Sequence, residues 1–434
     1  MVVRISLFIA ALLSAQLVIA SPQIQHWQTA NGARVYFVAA PELAMVDIKV
    51  VFDAGAARDG ELSGTALLTN AMLNEGAEGL DTNQIASAFA DVGAQFGASA
   101  ERDMAMVSLR TLTAEPILTS ALKTFTNVLT SPTFPDDSFE RLQKQVLIGL
   151  RAEKQSPAAL ASRAFYQNLF GEHPYSTMPS GTEKTVSQIT LEDLTQFYQQ
   201  YYVANNAIVI MVGALDIAQA KKIAEQVVTG LDEGELAATI KPVMDLQQEN
   251  IKKIAHPSTQ THILMGQPGI NRADPDYFAL YVGNHILGGS GLVSKLSDEI
   301  REKRGLSYSV YSYFRPMRQL GPYQFGLQTR NDQAEEALDV LKNTLKTFIA
   351  DGPSEDELIA AKQNITGGFA LRVDSNSKIA GYLAMIGFYG LPLDYLDNFK
   401  AHVNAVSVEE IKEAYARRIQ ADNMITVMVG GEAK

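Results

Sequence analysis

The chain of 434 residues carries 36 Lys plus Arg against 48 Asp plus Glu, a formal net charge of -12, which argues against nucleic acid and anionic lipid surfaces, since both select basic patches. It contains no cysteine, so disulfide frameworks and thiolate metal sites are excluded and stability must come from packed cores. Its length exceeds the roughly 250 to 300 residues that one core usually supports, and two or more domains are expected.

In chain order, residues 1–20 read as an export leader. Arg4 supplies a positive start, 5–19 an apolar stretch, and Val18-Ile19-Ala20 a small-residue cleavage signal before Ser21. The stretch is short for a bilayer ~30 Å thick, which wants about 20 residues. A retained anchor is the alternative. No later segment reaches spanning length, so the expectation is a periplasmic protein with no membrane span once the leader is removed. Residues 32–38 and 46–52 alternate like adjacent half-buried strands, and helices are predicted over 80–92, 115–131 and 136–155. Residues 230–250, rich in Asp, Glu, Gln and Gly, read as a linker between a domain at 21–229 and another at 251–434. Beyond it come strands at 252–255 and 259–264 and helices at 276–287, 334–350 and 355–371. Gly288-Gly289-Ser290-Gly291 is expected to form a tight turn between helices. It is no phosphate cradle, because no Gly-Lys-Ser/Thr follows.

The chain repeats itself. Residues 191–213 align without a gap on 408–430, with identical pairs at Glu192/Glu409, Tyr198/Tyr415, Ala204/Ala421, Asn206/Asn423, Ile208/Ile425 and the final Met-Val-Gly. Each copy reads as an amphipathic helix with an acidic first turn, followed by a β-branched strand. The reading is therefore an α+β fold of two homologous halves, each an antiparallel-rich β-sheet covered by α-helices.

Particular runs then resemble a known family. In the first half they are Asn31-Gly32-Ala33-Arg34-Val35, Ala54-Gly55-Ala56-Ala57-Arg58-Asp59, the window 64–76, and His173-Pro174-Tyr175 followed by Gly181-Thr182. In the second they are 285–290 (HILGGS) and 300–310 (IREKRGLSYSV), the last being the most specific. The chain resembles the pitrilysin/insulinase-type metallopeptidases, in the short two-domain branch that includes mitochondrial processing peptidase and the respiratory-complex core proteins. That family's H-x-x-E-H motif puts two zinc-binding His and a catalytic Glu on one helix. Here the His positions are Leu67 and Ala71, the Glu position is Asn70, and the third ligand, from a helix further along, falls on Gly149. None can hold zinc or act as base. The resemblance thus implies a degenerate member with no cofactor of its own. Glu75, Glu78 and Glu153 lie nearby in sequence and read as solvated carboxylates. The six His show no i, i+4 pair, His256 and His262 read as a surface pair on one strand face, and Ser307 and Ser309 lack an adjacent base.

What the resemblance leaves in place is an Arg and a Tyr seven residues apart, matched by Arg301 and Tyr308. In the family these are thought to hold the peptide backbone and stabilise charge on the attacked carbonyl. Gly305 would end the helix carrying Arg301 and place Tyr308 on the following strand. Read without the family, Arg301 is one of several surface cations and Tyr308, in phase with Leu306 and Val310, is core. The resemblance implies a heterodimer in which a homologous chain supplies zinc and this one grips the peptide substrate. The alternative is a non-catalytic structural or peptide-binding scaffold resembling the respiratory core proteins.

Overall fold

The computed structural model describes residues 23–431. The expected leader, 1–20, lies outside the described residues. Among those described, no helix is long and apolar enough to cross a membrane.

Two sheets organise the molecule. The first contains β1 (Gln25–Gln28), β2 (Arg34–Ala39), β3 (Met45–Phe52), β4 (Gln95–Ala100), β5 (Ala105–Leu112) and β6 (Ala207–Gly213), in the order β1-β2-β6-β3-β5-β4. The second contains β7 (Asn250–Ile254), β8 (Gln260–Pro268), β9 (Val310–Phe314), β10 (Pro322–Arg330) and β11 (Ile425–Val429), in the order β9-β10-β8-β11-β7. Each sheet has one parallel pair, β2 with β6 and β7 with β11, and is otherwise antiparallel. The repeated segments occupy equivalent places. Leu191–Tyr201 leads into β6 and Val408–Arg418 into β11, and both helices start with a capping box, Thr190 with Asp193 and Ser407 with Glu410.

One expectation is corrected. β2 and β3 are not neighbours, because β6 lies between them and pairs with both. Nor are they half-buried, since six of the eight β3 residues and four of the six β2 residues are buried. The cause is an exchange of helices. The first sheet buries Val35, Phe37, Ile48 and Met211 among its own helices. Its other face, with Tyr36, Val38, Ile208 and Ile210, packs on Asn376–Tyr389 of the second half. Reciprocally, Pro157–Phe170 of the first half covers Leu264, Ile425 and Val427 of the second sheet. Two glycines permit these close approaches. A Cβ at Gly387 would stand 2.8 Å from Tyr36 Cε2, and one at Gly266 would stand 2.9 Å from Phe165 Cζ. Sheets covered on both faces favour continuous apolar runs over alternation. Residues 232–249 carry neither helix nor strand, though Ile240 and Val243 are buried against the first half's covering helix.

Candidate functional site

Helix α1 (Thr65–Met72) starts behind Gly64, which sits in left-handed backbone at φ 109°. Gly64 has no side chain to cap the helix, and the Asp59 carboxylate does so instead, accepting from the backbone N–H of Gly64 and of Ala66 at 2.7 Å each. Burial pushes the Asp59 pKa up to about 7, against the two hydrogen bonds, which favour the charged form.

Along α1, Ala66, Leu68, Asn70 and Met72 are buried while Leu67 and Ala71, one turn apart, are half-buried. The Asn70 amide donates to the Tyr202 hydroxyl at 3.0 Å and to the Met106 carbonyl at 3.4 Å, so it ties helix to sheet. Helix α2 (Asp136–Glu153) packs on α1 and carries Gly149, exposed, with nothing within 4 Å of where a Cβ would stand. A side chain would therefore fit at Gly149. Hydrocarbon at two positions, no side chain at the third and an amide already engaged at the fourth do not fit zinc, whose ligands are imidazole, thiolate or carboxylate. The described residues contain no group of three or more His, Cys, Asp or Glu that could hold a metal ion.

Two of the three neighbouring carboxylates are engaged elsewhere. Glu78 is exposed and Glu153 accepts from Arg163 Nε at 2.5 Å. Glu75 corrects the expectation of a solvated group. It is 7% exposed, ion-paired with Arg141 and hydrogen-bonded by the Thr82 hydroxyl at 2.8 Å, because the chain turns inward after α1. His256 also departs from expectation. It precedes β8, where Pro257 turns the chain, and only His262 lies on the strand.

Arg301 and Tyr308 are brought together. The short helix Lys295–Ser297 continues into a wider turn, Asp298–Glu302, and ends as expected at Gly305, in left-handed backbone at φ 61°. The Gly305 N–H donates to the Arg301 carbonyl and the Leu306 N–H to that of Ile300, both at 2.9 Å. The Arg301 guanidinium carbon then stands 4.9 Å from the centre of the Tyr308 ring, within cation–π range. Tyr308 is neither on the strand nor in the core, since β9 begins at Val310 and Tyr308 is 81% exposed. Ser307 is the reason. Buried, it donates to the Gln328 carbonyl at 2.8 Å and accepts from the Ser309 N–H at 3.2 Å, a local turn that throws Tyr308 outward between buried Leu306 and Val310. The pair rests on the second half's core through Ile300 and Leu306, whereas α1 rests on the first half's through Ala66 and Leu68. Within one chain the fold keeps them on separate cores.

Motif reasoning did not reach the capping role of Asp59, the Arg141–Glu75 pair, or three arginines, Arg272, Arg315 and Arg372, that share one cavity. Asp59 had a signal, as an acid shortly before a helix. The arginines, over 40 residues apart in sequence, had none.

Comparison with known proteins bears on this geometry. A family model described as insulinase (peptidase family M16) matches residues 34–182, and one described as peptidase M16 inactive domain matches 188–365. A Helicobacter pylori relative named non-peptidase homolog YmxG is 25% identical over 384 residues, 88% of this chain and 87% of its own. A Bacillus subtilis relative named uncharacterized zinc protease YmxG is 23% identical over 410 residues, 94% of this chain and 98% of its own. The crystal structure of a peptidase M16 inactive domain from Pseudomonas fluorescens matches with a TM-score of 0.92 at 42% identity, covering 94% of this chain and 98% of that one.

Proposed function

The chain belongs to peptidase family M16, the insulinase-type metallopeptidases, as an inactive member whose zinc site is lost, and we propose that it is the non-zinc, substrate-binding subunit of a two-chain zinc metallopeptidase. The substrate class is peptides or unfolded polypeptides, and the leader reading gives the complex a periplasmic address. A homologous partner with an intact H-x-x-E-H would supply the zinc and the base.

The observation that carries this reading is the Arg301–Tyr308 pair. A tyrosine 81% exposed packs little and is stacked under a guanidinium 4.9 Å away. Both groups are hydrogen-bond donors, and a donor aimed at a developing oxyanion in a water-excluded cleft contributes about 2.7 to 4 kcal/mol of barrier lowering. That cleft would form only when a second chain covers the pair.

Purified alone, the chain is expected to bind no stoichiometric zinc and to cleave no peptide. Mixed with a zinc-bearing relative from the same organism, it should co-elute in gel filtration with a gain in peptidase activity. One zinc per chain with chelator-sensitive proteolysis would refute the first expectation. A relative fully active alone that ignores this chain would refute the second and favour the scaffold.

A further inference from the structure

The cavity shared by Arg272, Arg315 and Arg372 has a volume of about 380 Å³, and its other walls include Tyr277, Tyr281 and Tyr313. Among the described residues no Asp or Glu lines it, in a chain whose net charge is -12. Most cations of this protein have carboxylate partners, but among the described residues Arg272 and Arg372 have none within 4 Å. The Arg272 Nε is buried without a hydrogen-bond partner, while one Nη donates to the Pro316 carbonyl at 3.3 Å. A buried guanidinium N–H left unpaired carries its full desolvation cost, which a ligand oxygen would remove. Arg372 stands 5.9 Å from the centre of the Tyr281 ring. Arg315 alone is paired, with Glu101 at 2.8 Å, at the half-exposed rim. His285, also in the lining, is held below the usual imidazole pKa, first by burial and then by Arg372.

We propose that this cavity binds a carboxylate of an acidic polypeptide segment lying along β9. Guanidinium forks match carboxylate geometry, and the tyrosine rings suit the aliphatic stem of the group that bears it. A polypeptide is favoured over a free anion because of what adjoins the cavity. Strand β9 is the edge of the second sheet, and because the Ser312 carbonyl at its middle already accepts from the Asn284 amide at 2.9 Å, a peptide beside it would be held at its ends, by Tyr308 and by the cavity. Tyr313 and Arg315 lie at its cavity end and Tyr308 just before its start. At about 3.3 Å per residue, an extended peptide of roughly seven residues would reach from Tyr308 to the cavity. The polypeptide nature of the ligand rests on the function proposed above, and its charge rests on the cavity alone.

The test is fluorescence anisotropy on the full chain with two extended peptides of equal length, one ending in Glu-Glu with a free carboxylate and one ending in Gln-Gln amide. The acidic peptide is expected to bind at least 10-fold more tightly, to weaken as salt is raised, and to be displaced by glutarate. Arg272→Gln and Arg372→Gln should each remove about 10-fold from the acidic peptide and leave the neutral one unchanged, with circular dichroism confirming the fold of each. Tyr308→Ala should weaken both peptides alike. Equal binding of the two peptides that depends on Tyr308 but on neither arginine overturns the anion site and leaves the peptide-binding function standing. Arginine-dependent binding of glutarate or inorganic phosphate without binding of the acidic peptide overturns the polypeptide occupant.

Discussion

Single residues decide what each site can do. Asp59 is buried, and its pKa stands at about 7 because burial outweighs the hydrogen bonds from Gly64 and Ala66. In the unfolded chain an Asp titrates near 3.9. Between those values the folded state holds a proton that the unfolded state has released, so stability falls as pH rises from about 4 to 7 and levels off above. Urea unfolding of wild type and Asp59→Asn at pH 5 and pH 8 should therefore show wild type gaining stability relative to the variant on acidification. The difference between the two pH values is bounded at about 3 kcal/mol, since roughly two of the three pKa units lie between pH 5 and 7. Parallel pH profiles would contradict this. Legibility at this scale was uneven. Loss of the zinc ligands could be read from residue identity, because Leu67, Ala71 and Gly149 carry no donor in any conformation. The exposure of Tyr308 could not be read, because alternation with Leu306 and Val310 placed it inward and only the Ser307 hydrogen bonds reverse it.

At the scale of elements, the repeat of 191–213 in 408–430 announced two like halves because helix caps and a β-branched strand are local chemistry. Strand order was hidden, since β6 reaches its place between β2 and β3 only after more than 150 residues. The exchanged helices were hidden too. Neither 157–170 nor 376–389 was singled out as a helix, and nothing local says that a helix will serve the other half's sheet. The exchange is expected to make the halves unfold as one cooperative unit. Phe165, fully buried on Pro157–Phe170, packs over Gly266 of the second sheet, and Phe165→Ala should cost about 3–5 kcal/mol. Trp27, the single tryptophan, lies on β1 of the first sheet. Its fluorescence and the far-UV circular dichroism should share one unfolding midpoint and shift together in the variant. A Trp27 midpoint that stays put while the dichroism moves would contradict the coupling.

The whole molecule is clasped by polar groups between the halves. Asp103 of the first half accepts from the Tyr389 hydroxyl at 3.1 Å and the Arg318 N–H at 2.8 Å, and Asp53 pairs with Arg318 at 3.2 Å. So held, one chain presents α1 without zinc-ligating side chains and, on the other core, an exposed Arg301–Tyr308 pair, which is why a second chain enters the proposed function. The most direct measurement is kcat/KM for peptide cleavage by the assembled, zinc-loaded complex carrying Tyr308→Phe. Only a hydroxyl is lost, so assembly and partner zinc should be unchanged while kcat/KM falls by roughly 10² or more if that hydroxyl meets the oxyanion. Arg301→Ala should also weaken peptide binding. Arg304→Ala, which loses a surface pair with Glu299, is the control and should do little. If Tyr308→Phe and Arg301→Ala both match Arg304→Ala in an assembled complex, the pair takes no part in catalysis and the chain is a scaffold.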